Sequence, residues 1–257
     1  MINQNIRIAI VGSKGKMAKM LIKNIINHKQ ILLKVILEKN KTDLTNHKIK
    51  KILGNKILDI KIQNNIFNVL DYFDTLIDFS EPKSTLYYLN ICKKYKKSMI
   101  IGTTGFNKEE KKCIKNAAKK IPIIYSTNFS IGMNIIFKIL KIMTKFLGKN
   151  YDIDIIDIHH KNKKDLPSGT TLEIDKTIRE ILKKKKIDKK INSFSIRNSN
   201  IVGEHIIMFS GMEERIKIKH EIFNRKIFVD GVIKGCLWIK NKKHGLYTMQ
   251  NILNIDI

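Results

Sequence analysis

The sequence predicts an α/β chain: a Rossmann-type dinucleotide-binding domain followed by a second, α+β domain. Three observations predict it. Between Ile6 and Tyr125, short β-branched runs alternate with apolar stripes at helical spacing. The first run ends in a glycine turn, Gly12-Ser13-Lys14-Gly15. Beyond Asn128 the alternation gives way to one long amphipathic segment and, later, to strand-like runs that follow one another.

Residues 6–11 form a β-branched run that stops at Gly12, which reads as a buried strand. From Lys16 to about His28, the residues Met17, Leu21, Ile22, Ile25 and Ile26 make one helical stripe. A second apolar run over 31–37 ends at Glu38. Strand, glycine turn, helix and strand compose a β-α-β unit, whose strands run parallel. Residues 39–64 are rich in Lys and Asn and match no periodic template. The alternation resumes with strands at 75–79, 98–101 and 122–125, separated by helices at 84–95 and 108–120. A helix over 131–147, a strand over 151–160 and a helix over 169–185 come next. Strand-like runs at 193–197, 201–210 and 215–220 have no helices between them, so an open, mostly antiparallel layer is expected. The tail reads as helical at 231–238 and 248–253. The run Lys183 to Lys186 is most simply a solvated helix end, where cations suit the macrodipole.

The formal charge is +27. Clustered cations would indicate nucleic acid, because they neutralise phosphates. Here they are spread along the chain, are mostly Lys, and accompany many Ile and Asn, the residues that AT-rich codons encode. Genome composition accounts for the bias, and no nucleic-acid partner is expected. Cys92, Cys113 and Cys236 lie far apart with no C-x-x-C pair, which argues against a disulfide framework and a structural zinc site and suggests small core residues in a reducing cytosol. The apolar run near the N-terminus is too short for a signal peptide, and no stretch approaches a membrane span. A cytoplasmic chain with no membrane partner is therefore expected.

The turn Gly12-Ser13-Lys14-Gly15-Lys16-Met17-Ala18 has the pattern G-x-x-G-x-x-A. Glycines there let the backbone approach a pyrophosphate, and the following helix offers unpaired N–H groups to the anion. Alone, the pattern also fits a plain turn with a glycine at positive φ. Its context, with a strand before, a helix after and Glu38 at the end of the second strand, points to a dinucleotide whose ribose hydroxyls Glu38 accepts. Lys16 and Lys39 offer cations for the extra ribose phosphate of NADPH, so both NADH and NADPH are expected; in a chain this rich in Lys they are also explained by composition.

The second motif is His159-His160-Lys161-Asn162-Lys163-Lys164-Asp165-Leu166-Pro167-Ser168-Gly169-Thr170. Pro167 ends an extended segment and Ser168 can cap the next helix. The N–H groups of Gly169 and Thr170 then form a carboxylate seat at a helix start. Consecutive strand residues point to opposite faces, so either the strand twists here or only one of His159 and His160 enters the site. A histidine that titrates near neutrality, a lysine and a helix start suit an anionic substrate that needs a proton. No metal is expected. These residues leave open another two-domain dehydrogenase, acting on an aldehyde or sugar, and a nucleotide-sensing or nucleic-acid-binding protein that has lost catalysis.

At these motifs the chain resembles the bacterial dihydrodipicolinate reductases, also called 4-hydroxy-tetrahydrodipicolinate reductases. The resemblance covers nearly the whole chain. It lies in Gly12 to Ala18, Glu38, Asp78-Phe79-Ser80-Glu81-Pro82, Gly102-Thr103-Thr104-Gly105-Phe106, Asn128-Phe129-Ser130, His159 to Thr170 and Gly203-Glu204-His205. The H-H-x-x-K-x-D-x-P-S-G-T run is its most specific part. The resemblance implies that Gly12 to Met17, Glu38, Gly102, Thr103, Thr104, Ser126, Thr127, Asn128 and Phe129 line the nicotinamide cofactor. It implies His159 as acid/base residue, Lys163 as proton donor, and His160, Gly169 and Thr170, beside Ser168, as holders of a dicarboxylate. The implied reaction is hydride transfer to a cyclic unsaturated imino dicarboxylate, giving tetrahydrodipicolinate for diaminopimelate and lysine synthesis. The implied assembly is a homotetramer built on residues 129–225, with 226–257 returning to complete the dinucleotide domain of 1–128. Departures from the family pattern are Lys14 at a usually small position, Asn162 where a histidine is common, Asp157 where Glu is common, and a short segment over 187–200.

Overall fold

The computed structural model describes residues 5–38 and 60–254, so the expected cofactor contact at Lys39 lies outside the described residues. The chain divides into two compact units, one made of residues up to Phe129 together with Phe228–Asn254, the other of Ser130–Ile227.

In the first unit, seven strands form one parallel sheet. They are β1 (Ile6–Val11), β2 (Ile31–Leu37), β3 (Lys61–Gln63), β4 (Thr75–Asp78), β5 (Ser98–Ile101), β6 (Pro122–Tyr125) and β11 (Gly245–Tyr247), in the order β11-β6-β5-β4-β1-β2-β3. Helices α1 (Lys16–Ile25), α2 (Pro82–Lys94) and α3 (Lys108–Ala118) connect them. Val35, Leu37, Leu76, Met99, Ile101 and Ile123 from the strands pack with Leu89, Cys92, Ile114 and Ala117 from α2 and α3. Each Ile or Leu so buried stabilises the fold by roughly 1.5–3 kcal/mol. From β1 the chain winds outward through β2 and β3, then crosses back to β4 on the other side of β1. Parallel sheets bind ligands outside the carboxyl ends of strands at such a switch point. The segments after β1, β2, β4, β5 and β6 all leave from that edge.

The sequence reading missed two strands. β3 is three residues long and follows a segment without period, and β11 (Gly245–Tyr247) pairs in parallel with β6 at the far edge. The tail helix is longer than expected: α6 runs over Lys226–Ile239 and α7 over Met249–Leu253. Cys92 and Cys236 are buried as expected; Cys113 is exposed, on the outer side of α3.

The second unit holds β7 (Asp152–His159), β8 (Ile191–Arg197), β9 (Gly203–Ser210) and β10 (Arg215–Ile222), in the order β10-β9-β7-β8. β7 and β8 run parallel, with α5 (Gly169–Lys184) as the crossover between them; the other two ladders are antiparallel. Helices α4 (Ile131–Leu147) and α5 cover one face, and Met133, Phe137, Leu140, Ile174 and Ile178 meet Ile153, Ile155, Ile207 and Phe209 there. The cross-strand pairs Ile156 with Phe194, Ile158 with Ile196 and Ile156 with Ile206 lie on the opposite face, where Phe194 is 54% and Ile196 45% exposed. Among the described residues, no helix is long and apolar enough to cross a membrane.

Candidate active site

In the first unit the turn after β1 leaves room for an anion at an uncapped helix start. Gly12 takes φ +73°, a backbone that L side chains rarely adopt, and a Cβ there would meet nothing within 4 Å. Its constraint is conformational, and the space above it is open. Gly15 precedes α1 with no side-chain cap, and the first turn of α1 carries no acidic residue. Donors at this helix start are thus left for an incoming group. Ser13 N–H donates to Glu38 Oε1 at 2.6 Å, and Glu38 is buried. One carboxylate oxygen therefore braces the turn itself, a use of Glu38 that its place in the motif did not suggest.

The loop after β5 approaches the one after β4 closely. A Cβ at Gly102 would stand 2.0 Å from the Phe79 ring, so any other residue would have to displace that ring. Buried Thr103 and Thr85 share a hydroxyl contact of 3.0 Å, tying this loop to α2. After β6, the Ser126 hydroxyl donates to the Asn128 carbonyl at 2.7 Å, and the Phe129 ring lies 5.4 Å from that of Phe79. Thr104 and Thr127 are exposed, as are Lys14 and Lys16. Gly231 of α6 passes over Phe129: a Cβ there would lie 1.8 Å from the Phe129 carbonyl oxygen. Local periodicity carried no sign of that close approach. Asp78, at the end of β4, is fully buried and accepts from Ser80 N–H at 2.8 Å. Burial pushes its carboxyl above the usual range, against the pull of Ser80 and Thr85.

In the second unit β7 stays regular through His159, so the rings of His159 and His160 leave the chain in different directions. Ile153, Ile155, Asp157 and His159 are buried on the helix-covered face, and His160 leaves the strand half-buried, with Nε2 3.3 Å from the Arg225 guanidinium. One ring joins the buried cluster and the other does not. Sheet register then lays a polar row across four strands: Ser195 beside Asp157, Asp157 opposite His205, His205 opposite His220. The row sits one pair beyond the apolar row of Ile155, Ile207 and Ile218.

Asp157 accepts from the Ser195 hydroxyl and, at 3.2 Å, from the Arg197 guanidinium. Its burial alone would raise the carboxyl; the contacts with His159, Ser195 and Arg197 outweigh this and hold it well below the usual carboxylate range. His159 Nδ1 stands 3.2 Å from Asp157 Oδ2, inside ion-pair distance but off the line of a well-aligned N–H···O bond. The rings of His159 and His205 meet edge to face at 5.2 Å. Burial, with His159 beside it, pushes His205 down to about 3, so it is a neutral imidazole near pH 7. Its Nε2 lies 3.2 Å from the Ser168 hydroxyl. That hydroxyl also caps α5, accepting from Thr171 N–H at 3.2 Å. The helix start of Ser168, Gly169 and Thr170 and the His159 ring are thus linked through His205. Lys163, on the intervening loop, pairs with Asp165 at 2.8 Å, which holds that carboxyl below its ordinary value against its partial burial. The Arg197 guanidinium also donates to the Asp165 carbonyl at 2.7 Å, tying loop to strand.

Arg197, Ser195 and His220 were missed as site residues, because strand register brings them in. The one local signal was Asp157, two residues before His159 and so on the same strand face. Asp157, His159 and His205 also offer ligand atoms within 4.8 Å of one another. Both Asp157 oxygens are already engaged, one of them by a cation, which fits a proton-handling cluster better than a metal site.

Comparison with known proteins matches both units. A family model described as dihydrodipicolinate reductase, N-terminus, matches residues 6–129, and one described as dihydrodipicolinate reductase, C-terminus, matches 132–253. The 4-hydroxy-tetrahydrodipicolinate reductase of Wigglesworthia glossinidia brevipalpis is 48% identical, over 97% of this chain and 94% of that protein. The protein of the same name from Buchnera aphidicola subsp. Schizaphis graminum is 43% identical over 96% of each chain. Among solved structures, a dipicolinate-bound dihydrodipicolinate reductase from Paenisporosarcina superposes with TM-score 0.80 at 23% identity, covering 97% of this chain and 100% of that one. An apo scyllo-inositol dehydrogenase from Lactobacillus casei gives TM-score 0.61 at 13% identity over 100% of this chain and 91% of that one. The fold is therefore shared with an inositol dehydrogenase, and the full-length sequence identity separates the two.

Proposed function

This chain belongs to the dihydrodipicolinate reductase family, and from that premise we propose how its residues divide the work. It is a nicotinamide-dependent reductase of diaminopimelate and lysine synthesis, acting on the small cyclic imino dicarboxylate 4-hydroxy-tetrahydrodipicolinate. Residues 1–128 with 226–257 serve the cofactor; residues 129–225 serve substrate and assembly. The observation that carries the reading is the buried His159 linked through His205 to the capped start of α5, in a chain that the family models match along both units.

When bound, the cofactor supplies a hydride. Gly12, Ser13, Lys14, Gly15, Lys16 and Met17 hold its pyrophosphate at the uncapped start of α1. Glu38 keeps one oxygen on Ser13 N–H and turns the other to the adenosine ribose. Gly102, Thr103 and Thr104, with Ser126, Thr127, Asn128 and Phe129, shape the nicotinamide end. Lys16 and Lys39 admit the extra phosphate of NADPH, so both cofactors serve.

On the second unit, the N–H groups of Gly169 and Thr170, with Ser168 and His160, anchor the substrate carboxylates. Anchoring fixes the ring's position and removes much of the entropic cost of reaction. Going from the 4-hydroxy substrate to tetrahydrodipicolinate, the ring sheds its 4-hydroxyl as water and gains one hydride and one proton; as reduction of the conjugated imine builds negative charge towards the ring nitrogen, Lys163 donates the proton there and His159 handles acid/base exchange.

The assembly is a homotetramer. The open face of the second sheet, with Ile156, Ile158, Phe194, Ile196, Ile206 and Met208 side by side, supports a self-complementary contact. The chain works in the cytoplasm, where this biosynthesis runs. The test is loss of reduced-nicotinamide absorbance with substrate generated by the preceding synthase. No oxidation above background with either cofactor would refute the reading.

A further inference from the structure

One carboxylate in the second unit has no part in the roles above, yet it is the most tightly held. Asp157 is fully buried, two residues before His159 on the same face of β7. A buried carboxylate is costly unless it is paired and hydrogen-bonded. Asp157 is both. Ser195, its register partner on β8, donates to Oδ1, and Arg197, the register partner of His159, reaches back to Oδ2. Arg197 is itself shielded, with its side chain 14% exposed, and a second bond to the Asp165 carbonyl fixes it from the loop side.

We propose that Ser195 and Arg197 hold Asp157 as a permanent buried anion, and that Asp157 is the positioning residue setting the tautomer and orientation of the His159 ring. The inference rests on His159 being the acid/base group.

Four features support it. Asp157 Oδ2 is 3.2 Å from His159 Nδ1, and that nitrogen has no hydrogen-bond partner among the described residues. A small ring rotation completes the bond, as catalytic hydrogen bonds often tighten on substrate binding. His205, packed edge-on against His159, stays neutral, so it does not compete as a cation for Asp157. Gly203 borders the ring at its other nitrogen: a Cβ there would be 3.0 Å from His159 Nε2. With the proton kept on Nδ1 by the anion, Nε2 is the atom left to take and return a proton. Arg197 prevents Asp157 from taking that proton itself, because its charge favours the carboxylate form. The arrangement is that of an oriented acid/base pair, in which the carboxylate fixes the imidazole without being protonated.

The experiment reads the ring directly. Long-range proton–nitrogen NMR on the full chain with labelled histidine reports the His159 tautomer without substrate. Asp157→Asn keeps the size and removes the charge; Asp157→Glu restores the charge. The wild type is expected to show Nδ1–H. Asp157→Asn is expected to shift His159 towards Nε2–H and to lower kcat about a hundredfold, with cofactor KM within about twofold. Asp157→Glu should recover the wild-type tautomer and most of the turnover. An unchanged tautomer in Asp157→Asn overturns the proposal, even if activity falls. A changed tautomer with wild-type kcat keeps Asp157's hold on the ring and removes His159 from the chemistry. If Asp157→Asn does not fold, Arg197→Gln replaces it: loss of the counter-charge should move the same tautomer signal, and a wild-type signal overturns the idea.

Discussion

The backbone N–H of Ser13 donates to Glu38 Oε1 at 2.6 Å, so the end of β2 braces the turn that follows β1. An acid read from the sequence as a ribose contact is also part of the turn's frame. On the proposed reading, the extra phosphate of NADPH would be met by this anion and by the cations Lys16 and Lys39. Both cofactors are expected to work within about tenfold of each other in kcat/KM, about 1.4 kcal/mol. Lysine is a point charge without a two-pronged grip, so added salt should weaken NADPH more than NADH. Lys39→Glu should damage NADPH use selectively. Equal losses for both cofactors would show that Lys39 does not touch the phosphate.

On the proposed role of the ring at the proton step, His159→Gln should lower kcat by roughly a hundredfold or more and leave the cofactor KM nearly unchanged. Steady-state kinetics on folded protein decide it. Near-normal turnover would remove His159 from the mechanism.

Lys163→Ala should both lower kcat and raise the substrate KM, if, as proposed, one ammonium both faces a substrate carboxylate and delivers a proton. The pair with Asp165 is half-exposed on the acid's side, so its loss should cost the fold less than about 1 kcal/mol. A lowered melting temperature with unchanged kinetics would leave Lys163 as a solvated loop residue.

Asp78 gives a pH signature of stability. Its carboxyl is raised by burial, so over the window between its unfolded and folded pKa the folded chain binds a proton that the unfolded chain lacks. Stability should therefore fall as pH rises from the unfolded value, about 3.9, through the folded one, and level off above it. Asp78→Asn keeps an acceptor for Ser80 and cannot ionise. It should gain on the wild type as pH rises and fall behind towards acid. Urea unfolding of both proteins at several pH values tests this; a constant difference would mean that Asp78 titrates normally.

Gly203→Ala places a methyl 3.0 Å from His159 Nε2, tighter than ordinary contact. The ring must turn. We expect about a tenfold loss of kcat, with a stability loss of about 1 kcal/mol. Full activity would show that the ring has slack there.

Much of this was legible in the chain, and the remainder has a common cause. The β1 strand, the glycine turn and Glu38 are contiguous or one helix apart, so local period and punctuation revealed them. The run from His159 to Thr170 was legible because one strand end, one loop and one cap are consecutive. Ser195, Arg197, His205 and His220 arrive by pairing between strands far apart in sequence, and register is not written in any single strand. The parallel β7–β8 ladder was hidden for the same reason. β11 escaped because three residues show no period.

In β7 a single alternation serves two ends. Ile153 and Ile155 point the same way as Asp157 and His159. Sliding the strand by one residue would turn all four outward together, expelling the core along with the cluster. The second unit therefore cannot close its interior in a register that leaves the histidine misplaced. These groups should therefore assemble with the strand itself: a refolding experiment should see the buried Asp157–His159 pair appear with the same time constant as the packed core.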